Sequence, residues 1–157
     1  MDVTIRKAAL KDMGAIQDLN HELFLDEQRR YKGTLRTGWP YSKEGRKYFL
    51  KALKGPKDLL LIAELDGKTV GYIAGSIGKA KSWRTMKKMG ELDNMIILKG
   101  YRRRGVGTAL VKELFRWFRK KGIRNATVVA SYANVKALDF YRKHGFRDME
   151  VVLEKRV

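Results

Sequence analysis

Leu92-Asp93-Asn94-Met95-Ile96-Ile97-Leu98 leads through Lys99-Gly100 into Tyr101-Arg102-Arg103-Arg104-Gly105-Val106-Gly107-Thr108. The apolar run reads as a strand, the glycines as a turn, and the segment Val106 to Lys121 as a helix. In that helix Val106, Ala109, Leu110, Leu114, Trp117 and Phe118 keep helical spacing, so one face is buried against a sheet. Glycine has no Cβ, so at Gly105 and Gly107 successive N–H groups can turn into one small space. The starting helix adds unpaired N–H groups and its positive dipole end. Three arginines add formal charge. These are the parts of a phosphate site, although a tight turn with a solvated basic rim uses the same residues.

The rest of the chain sets the context. Its 157 residues suit a single domain, 1–157, with its own core. No apolar run approaches the ~20 residues that span a bilayer, and Met1-Asp2-Val3-Thr4-Ile5 reads as a strand and not as a signal peptide. A soluble cytoplasmic protein is expected. The chain has no cysteine, which excludes a disulfide framework, a thiolate metal site and a cysteine nucleophile. The net charge of +18 predicts weak attraction to polyanions. Its basic residues run from Arg6 to Arg156, which favours a folded basic surface over a disordered arm.

In chain order, Val3 to Lys7 alternates as a strand, and Asp12 is placed to cap a helix running to about Gln28, with Ile16, Leu19 and Leu23 on its apolar face. Asp18, Glu22 and Asp26 form an acidic row on a neighbouring face, either solvated or aimed at a cationic acceptor. His21 reads as structural or solvated. Tyr31 to Tyr41 is loop chemistry, and Ser42 caps a second helix to about Leu53 that buries Tyr48, Phe49 and Ala52. Phe24, Tyr31, Trp39, Tyr41 and Tyr48 supply core, with a share left to line a groove. Asp58 to Leu65, Asp66-Gly67 and Lys68 to Ile77 form a hairpin, with Gly71, Gly75 and Gly78 marking bulges or close backbone approach. Lys79 to Gly90 is a basic loop around Trp83. After the central unit come a buried strand, Ala126 to Ala130, a helix, Val135 to His144, and a last strand, Phe146 to Glu154.

Leu92-x-x-Met95-x-Ile97-x-x-x-Tyr101-Arg102-x-x-Gly105-x-Gly107 followed by Asn134-x-x-Ala137-x-x-Phe140-Tyr141-x-x-x-Gly145-Phe146 resembles the GNAT N-acetyltransferase superfamily. The resemblance implies an α/β (α+β) fold with a mixed, mostly antiparallel sheet flanked by helices, in the order β-α-α-β-β-β-α-β-α-β. It implies acetyl-coenzyme A as donor and an amine-bearing acceptor, small molecule or protein, with no metal. By that resemblance the backbone of Met95, Ile96 and Ile97 pairs with the pantetheine arm. The N–H groups of Arg103, Arg104, Gly105, Val106, Gly107 and Thr108, with Arg102 beside them, hold the pyrophosphate. Asn134 bonds the pantetheine, and Tyr141 lies by the sulfur as general acid. The matching position for the base glutamate of the ribosomal-protein alanine N-acetyltransferases is Val129, which argues against transferring their specificity. A homodimer is compatible with such a fold.

The chemistry sets its own requirements. A lysine amine, pKa near 10.4, is neutral about once in a thousand at pH 7, so attack needs a proton acceptor. Glu91 and Asp93 are the candidates, Glu91 preferred. Strict alternation puts both on the strand face of Met95 and Ile97, unless a bulge intervenes. Two other readings compete with the enzyme. One is a basic nucleic-acid- or chromatin-associated module, with or without catalysis. The other is a protein that binds coenzyme A without acceptor chemistry.

Overall fold

In the computed structural model, which describes residues 2–30 and 33–157, the apolar pattern of each segment decides which face of one sheet it covers. Five strands lie in sequence order: β1 (Thr4–Lys7), β2 (Asp58–Leu65), β3 (Lys68–Lys79), β4 (Lys88–Ile97) and β5 (Ala126–Val128). Neighbours from β1 to β4 are antiparallel, and β5 runs parallel to β4. Helices α1 (Met13–Arg30) and α2 (Lys43–Lys54) cover one face; α3 (Val106–Lys120) and α4 (Val135–Lys143) cover the other. Strand β2 is buried on both sides: Leu59, Leu61, Ala63 and Leu65 meet α3, while Leu60 and Ile62 meet α1 and α2. This is the mixed, mostly antiparallel architecture expected.

Local rules account for most boundaries. Asp66 (φ 51°) and Gly67 (φ 74°) take the two left-handed positions of a tight hairpin turn between β2 and β3. The Ser42 hydroxyl accepts from Gly45 N–H at 3.1 Å and caps α2 as expected. Gly122 (φ 73°) follows α3 and Gly145 (φ 90°) follows α4.

Three expectations need correction. The helix expected after Asp12 is α1, which starts at Met13, but the Asp12 side chain does not cap it. Asp12 sits in a short 3-10 turn before α1, accepts from Ala9 N–H, and forks with the Arg6 guanidinium at 2.9 Å. That guanidinium holds its carboxyl below the usual aspartate range. In the row Asp18, Glu22, Asp26, the first two line a second cavity with His21 and Tyr41, Asp18 accepting from Tyr41 Oη at 2.6 Å, while Asp26 pairs with Arg30 at 2.9 Å. Strand β5 is three half-buried residues and not a five-residue buried strand, and Val129 is exposed. The last strand, Phe146 to Glu154, is not formed: among the described residues no strand follows α4. Its first residues are held by Arg142–Asp148 and Arg84–Glu150 ion pairs and not by a ladder, and Val151, Val152 and Leu153 are exposed. Tyr31 lies outside the described residues.

Candidate active site

The site begins with a fault in the β3–β4 ladder. Ala74 pairs with Asn94 and Gly75 with Leu92, so Asp93 is an extra residue between two paired ones. Leu92, Met95 and Ile97 pack toward α3, whereas Asn94 and Ile96 face α1 and α2. Ser76 donates to Asp93 Oδ1 at 2.8 Å and pairs in register with Glu91. Glu91 and Asp93 therefore share a face, as expected, but it is opposite that of Met95 and Ile97. The bulge corrects the strict alternation.

Beyond the bulge, one edge of β4 is open. β5 pairs with β4 only from Gly90 to Leu92. Leu98 N–H donates to Val70 O at 2.9 Å, which makes Gly71 and Ile97 a non-hydrogen-bonded pair. By the alternation of an antiparallel ladder, Met95 and Ile97 turn their backbone groups to the open edge, while those of Ile96 are spent on Tyr72. The Ile97 carbonyl accepts from Arg102 Nε at 2.8 Å. An extended amide chain therefore finds Met95 and Ile97 facing it, but not Ile96.

The same strand delivers the chain to the basic turn. Arg103 (φ 65°) and Gly105 (φ 79°) are left-handed, and Gly105 precedes α3 with no side-chain cap on the helix. Side chains leave the first-turn N–H groups of α3 uncapped, ready for an anion. At Gly107 a Cβ would lie 3.1 Å from the Phe140 ring, so the glycine lets α4 pack close to the start of α3. Thr108 Oγ1 lies 3.2 Å from His144 Nε2, tying these two helix ends together. Asn134 caps α4 by accepting from Ala137 N–H at 3.1 Å through Oδ1, which leaves its amide N–H donors for other use.

Tyr141, on α4, and Asp93, from the bulge, line one cleft of about 510 Å³, together with Glu91, Met95 and Asn134. Burial, helped by the charge of Glu27, pushes the Tyr141 phenol up to about 12, so it keeps its proton. Burial pushes Asp93 up to about 6 against the opposing Ser76 bond, with Glu91 and Asp58 adding to the rise. The cleft thus holds a proton donor and a carboxylate that titrates near neutrality. Phe24, Trp39 and Tyr48 form an aromatic wall, with Trp39 ring centroids 5.9 Å from Phe24 and 5.6 Å from Tyr48.

Several lining residues escaped the sequence reading. Asn94 donates to Tyr48 Oη at 2.8 Å and accepts from Tyr72 Oη, which in turn accepts from Asn20 at 2.8 Å. Asp58, at the start of β2, faces Lys51 Nζ at 2.7 Å. Glu27 also lines the cleft. Asn20, Leu23, Phe24 and Glu27 follow the i, i+3, i+4, i+7 rule, so an apolar stripe ending in two polar residues was the available signal.

The chain is similar to known proteins over most of its length. An N-alpha-acetyltransferase of Sulfurisphaera tokodaii is 31% identical over 155 residues, covering 94% of this chain and 82% of the relative. An uncharacterised N-acetyltransferase of Methanocaldococcus jannaschii is 27% identical over 124 residues, covering 79% of this chain and 54% of the relative, so the chain spans about half of that protein. A predicted acetyltransferase of Clostridium acetobutylicum, solved with acetyl-CoA, superposes with a TM-score of 0.78 at 23% identity, covering 99% of this chain and 96% of that one. The profile of the acetyltransferase (GNAT) family matches residues 18–146, and the chain belongs to that family.

Proposed function

We propose that the protein transfers an acetyl group from acetyl-coenzyme A to a primary amine by direct attack within a ternary complex. The observation that carries this reading is one cleft holding Tyr141, still protonated, and Asp93, ionised near neutrality, next to the open edge of β4. The donor supplies an activated thioester carbonyl. The residues present fit it: the β4 edge suits the pantetheine amides, and the uncapped start of α3 with exposed Arg103 and Arg104 suits a pyrophosphate. Asn134 offers an amide N–H toward the pantetheine.

In the transfer the amine nitrogen forms a bond to the acetyl carbon and the carbon–sulfur bond breaks. Asp93 takes the proton that turns the ammonium into the attacking amine, Tyr141 gives its proton to the departing sulfur, and the second proton, released as the amide forms, restores Tyr141. Asp93 suits the base role better than Glu91, because it is the more buried of the two and its affinity for a proton is raised. Positioning of amine against thioester supplies much of the rate. The test is Tyr141→Phe, which keeps the ring packing. Turnover falls by about 10²-fold or more while coenzyme A affinity stays within twofold; unchanged turnover removes Tyr141 from the mechanism.

We also infer weak polyanion binding at the far end of β4. Lys79, Lys81, Lys87 and Lys88 are exposed there around Trp83, itself 78% exposed. Arg119, Lys120, Lys121 and Arg124 follow from the end of α3, and Gly90 N–H donates to Asn125 O at 2.9 Å, joining the two groups.

A further inference from the structure

The cleft has the wrong charge for its protein. The chain carries 35 Lys and Arg against 17 Asp and Glu, yet Glu27, Asp58, Glu91 and Asp93 line the cleft against Lys51. The long-range field of such a chain repels cations, so a cationic acceptor depends on local charge to enter. The acids come from separate parts of the chain, α1, β2 and the β4 bulge, and converge on one space.

A second observation is independent of the carboxylates. Asn20 lines the same cleft, is 1% exposed, and its Oδ1 has no hydrogen-bond partner among the described residues. The bond directions fix which end is left over. Tyr72 has a single O–H and gives it to Asn94 Oδ1, so Asn20 offers Tyr72 its N–H. Its carbonyl, an acceptor, remains unbonded, which is costly for a buried group. The Tyr48 oxygen accepts from Asn94, and its own proton is not needed for that bond. With Asp58 paired to Lys51, the carboxylates of Glu27, Glu91 and Asp93 and the orphaned carbonyl suit a ligand rich in N–H donors.

We propose that the acceptor is a small amine carrying at least two ammonium groups, one delivered to Asp93 for reaction and the others held by Glu27, Glu91 and the Asn20 carbonyl. The inference rests on the acetyl transfer proposed above and narrows its substrate class. The cleft volume, about 510 Å³, is in the range of small-molecule sites. Aromatic faces of Trp39 and Tyr48 add cation–π surface for the same charge.

The test uses the full chain saturated with coenzyme A. Calorimetry compares spermidine, 1,4-diaminobutane, n-butylamine and a tripeptide with one free amine; thiol release from acetyl-coenzyme A is measured with the same four. Spermidine is expected to bind at least tenfold tighter than n-butylamine or the tripeptide. The Glu27→Gln/Glu91→Gln variant is expected to lose at least tenfold for spermidine and less than threefold for n-butylamine. Equal affinity of the wild-type chain for all four amines overturns the proposal without reference to any variant. Equal loss for spermidine and n-butylamine in the variant overturns it too. Tight spermidine binding without thiol release overturns acetyl transfer and leaves the cationic site standing. Thiol release at equal kcat/KM for every amine does the reverse.

Discussion

Asp93 shows how one inserted residue sets both chemistry and cost. Its folded-state pKa lies at about 6, above the ordinary 3.8, mainly through burial. The folded chain therefore binds more protons than the unfolded one between those values, and stability falls as pH rises through that window. At neutral pH the ionised side chain costs about 1–2 kcal/mol, after allowance for the part that solvent reaches. Asp93→Asn removes this charge and keeps the oxygen that accepts from Ser76. The variant is expected to melt roughly 2–6 °C higher at pH 7.5, with the difference closing near pH 4. Its activity falls by about 10²-fold or more, and the wild-type loss of kcat/KM as pH drops through about 6 disappears with it. A variant that melts lower shows that the ionised side chain carries no such cost, and one that turns over normally moves the base to Glu91. The sequence showed that Glu91 and Asp93 share a face, because residues two apart do so on either side of a bulge. It did not show which way Met95 and Ile97 point, because nothing in Leu92-Asp93-Asn94 marks where the extra residue enters the ladder.

Elements governed by nearest-neighbour chemistry were legible, and those that depend on a distant partner were not. The Asp66-Gly67 hairpin and the Ser42 cap follow from a few bonds within four residues. Phe146 to Glu154 has a strand-like run, Val151-Val152-Leu153, but a strand exists only where an edge receives it, and β5 is too short to offer much of one. The start of α3 falls between these cases. Its glycines were visible, yet their reasons differ: Gly105 holds a left-handed turn, and Gly107 leaves room for Phe140 on another helix. Two substitutions separate these reasons. Gly105→Ala strains the turn by about 1–2 kcal/mol and is expected to weaken coenzyme A binding by several-fold with α3 and α4 still in place. Gly107→Val pushes α4 from α3 and is expected to weaken binding by about tenfold or more and to lower the melting temperature. Binding by calorimetry and melting by circular dichroism report both. Unchanged affinity in the two variants means that the turn does not hold the diphosphate.

In the molecule as a whole, four acids share one cleft of a strongly basic chain. The net +18 was plain in the composition, but the meeting of Glu27, Asp58, Glu91 and Asp93 in one cleft depends on tertiary contacts between α1, β2 and β4 that no local pattern encodes. The basic end lies at Lys88, and the glycine turn proposed to hold the pyrophosphate follows Ile97 at the other end of the same strand, about 30 Å away at the rise of an extended chain. Occupants of the two ends therefore need not compete. If about four of the lysines and arginines there meet phosphates of a single-stranded oligonucleotide, log K falls against log salt with a slope of about −3, or about 60-fold between 50 and 200 mM. Lys81→Glu with Lys87→Glu is expected to flatten that slope by at least one. Trp83→Ala acts differently: losing a stacking face weakens binding by about 1–3 kcal/mol while the slope stays where it was. A shallow slope in the wild-type chain, or one that the two lysines do not move, means that the basic end serves solubility alone. If Trp83→Ala changes the slope and not the affinity, the ring positions the Lys81 ammonium, 6.0 Å from its centroid, and no base stacks on it.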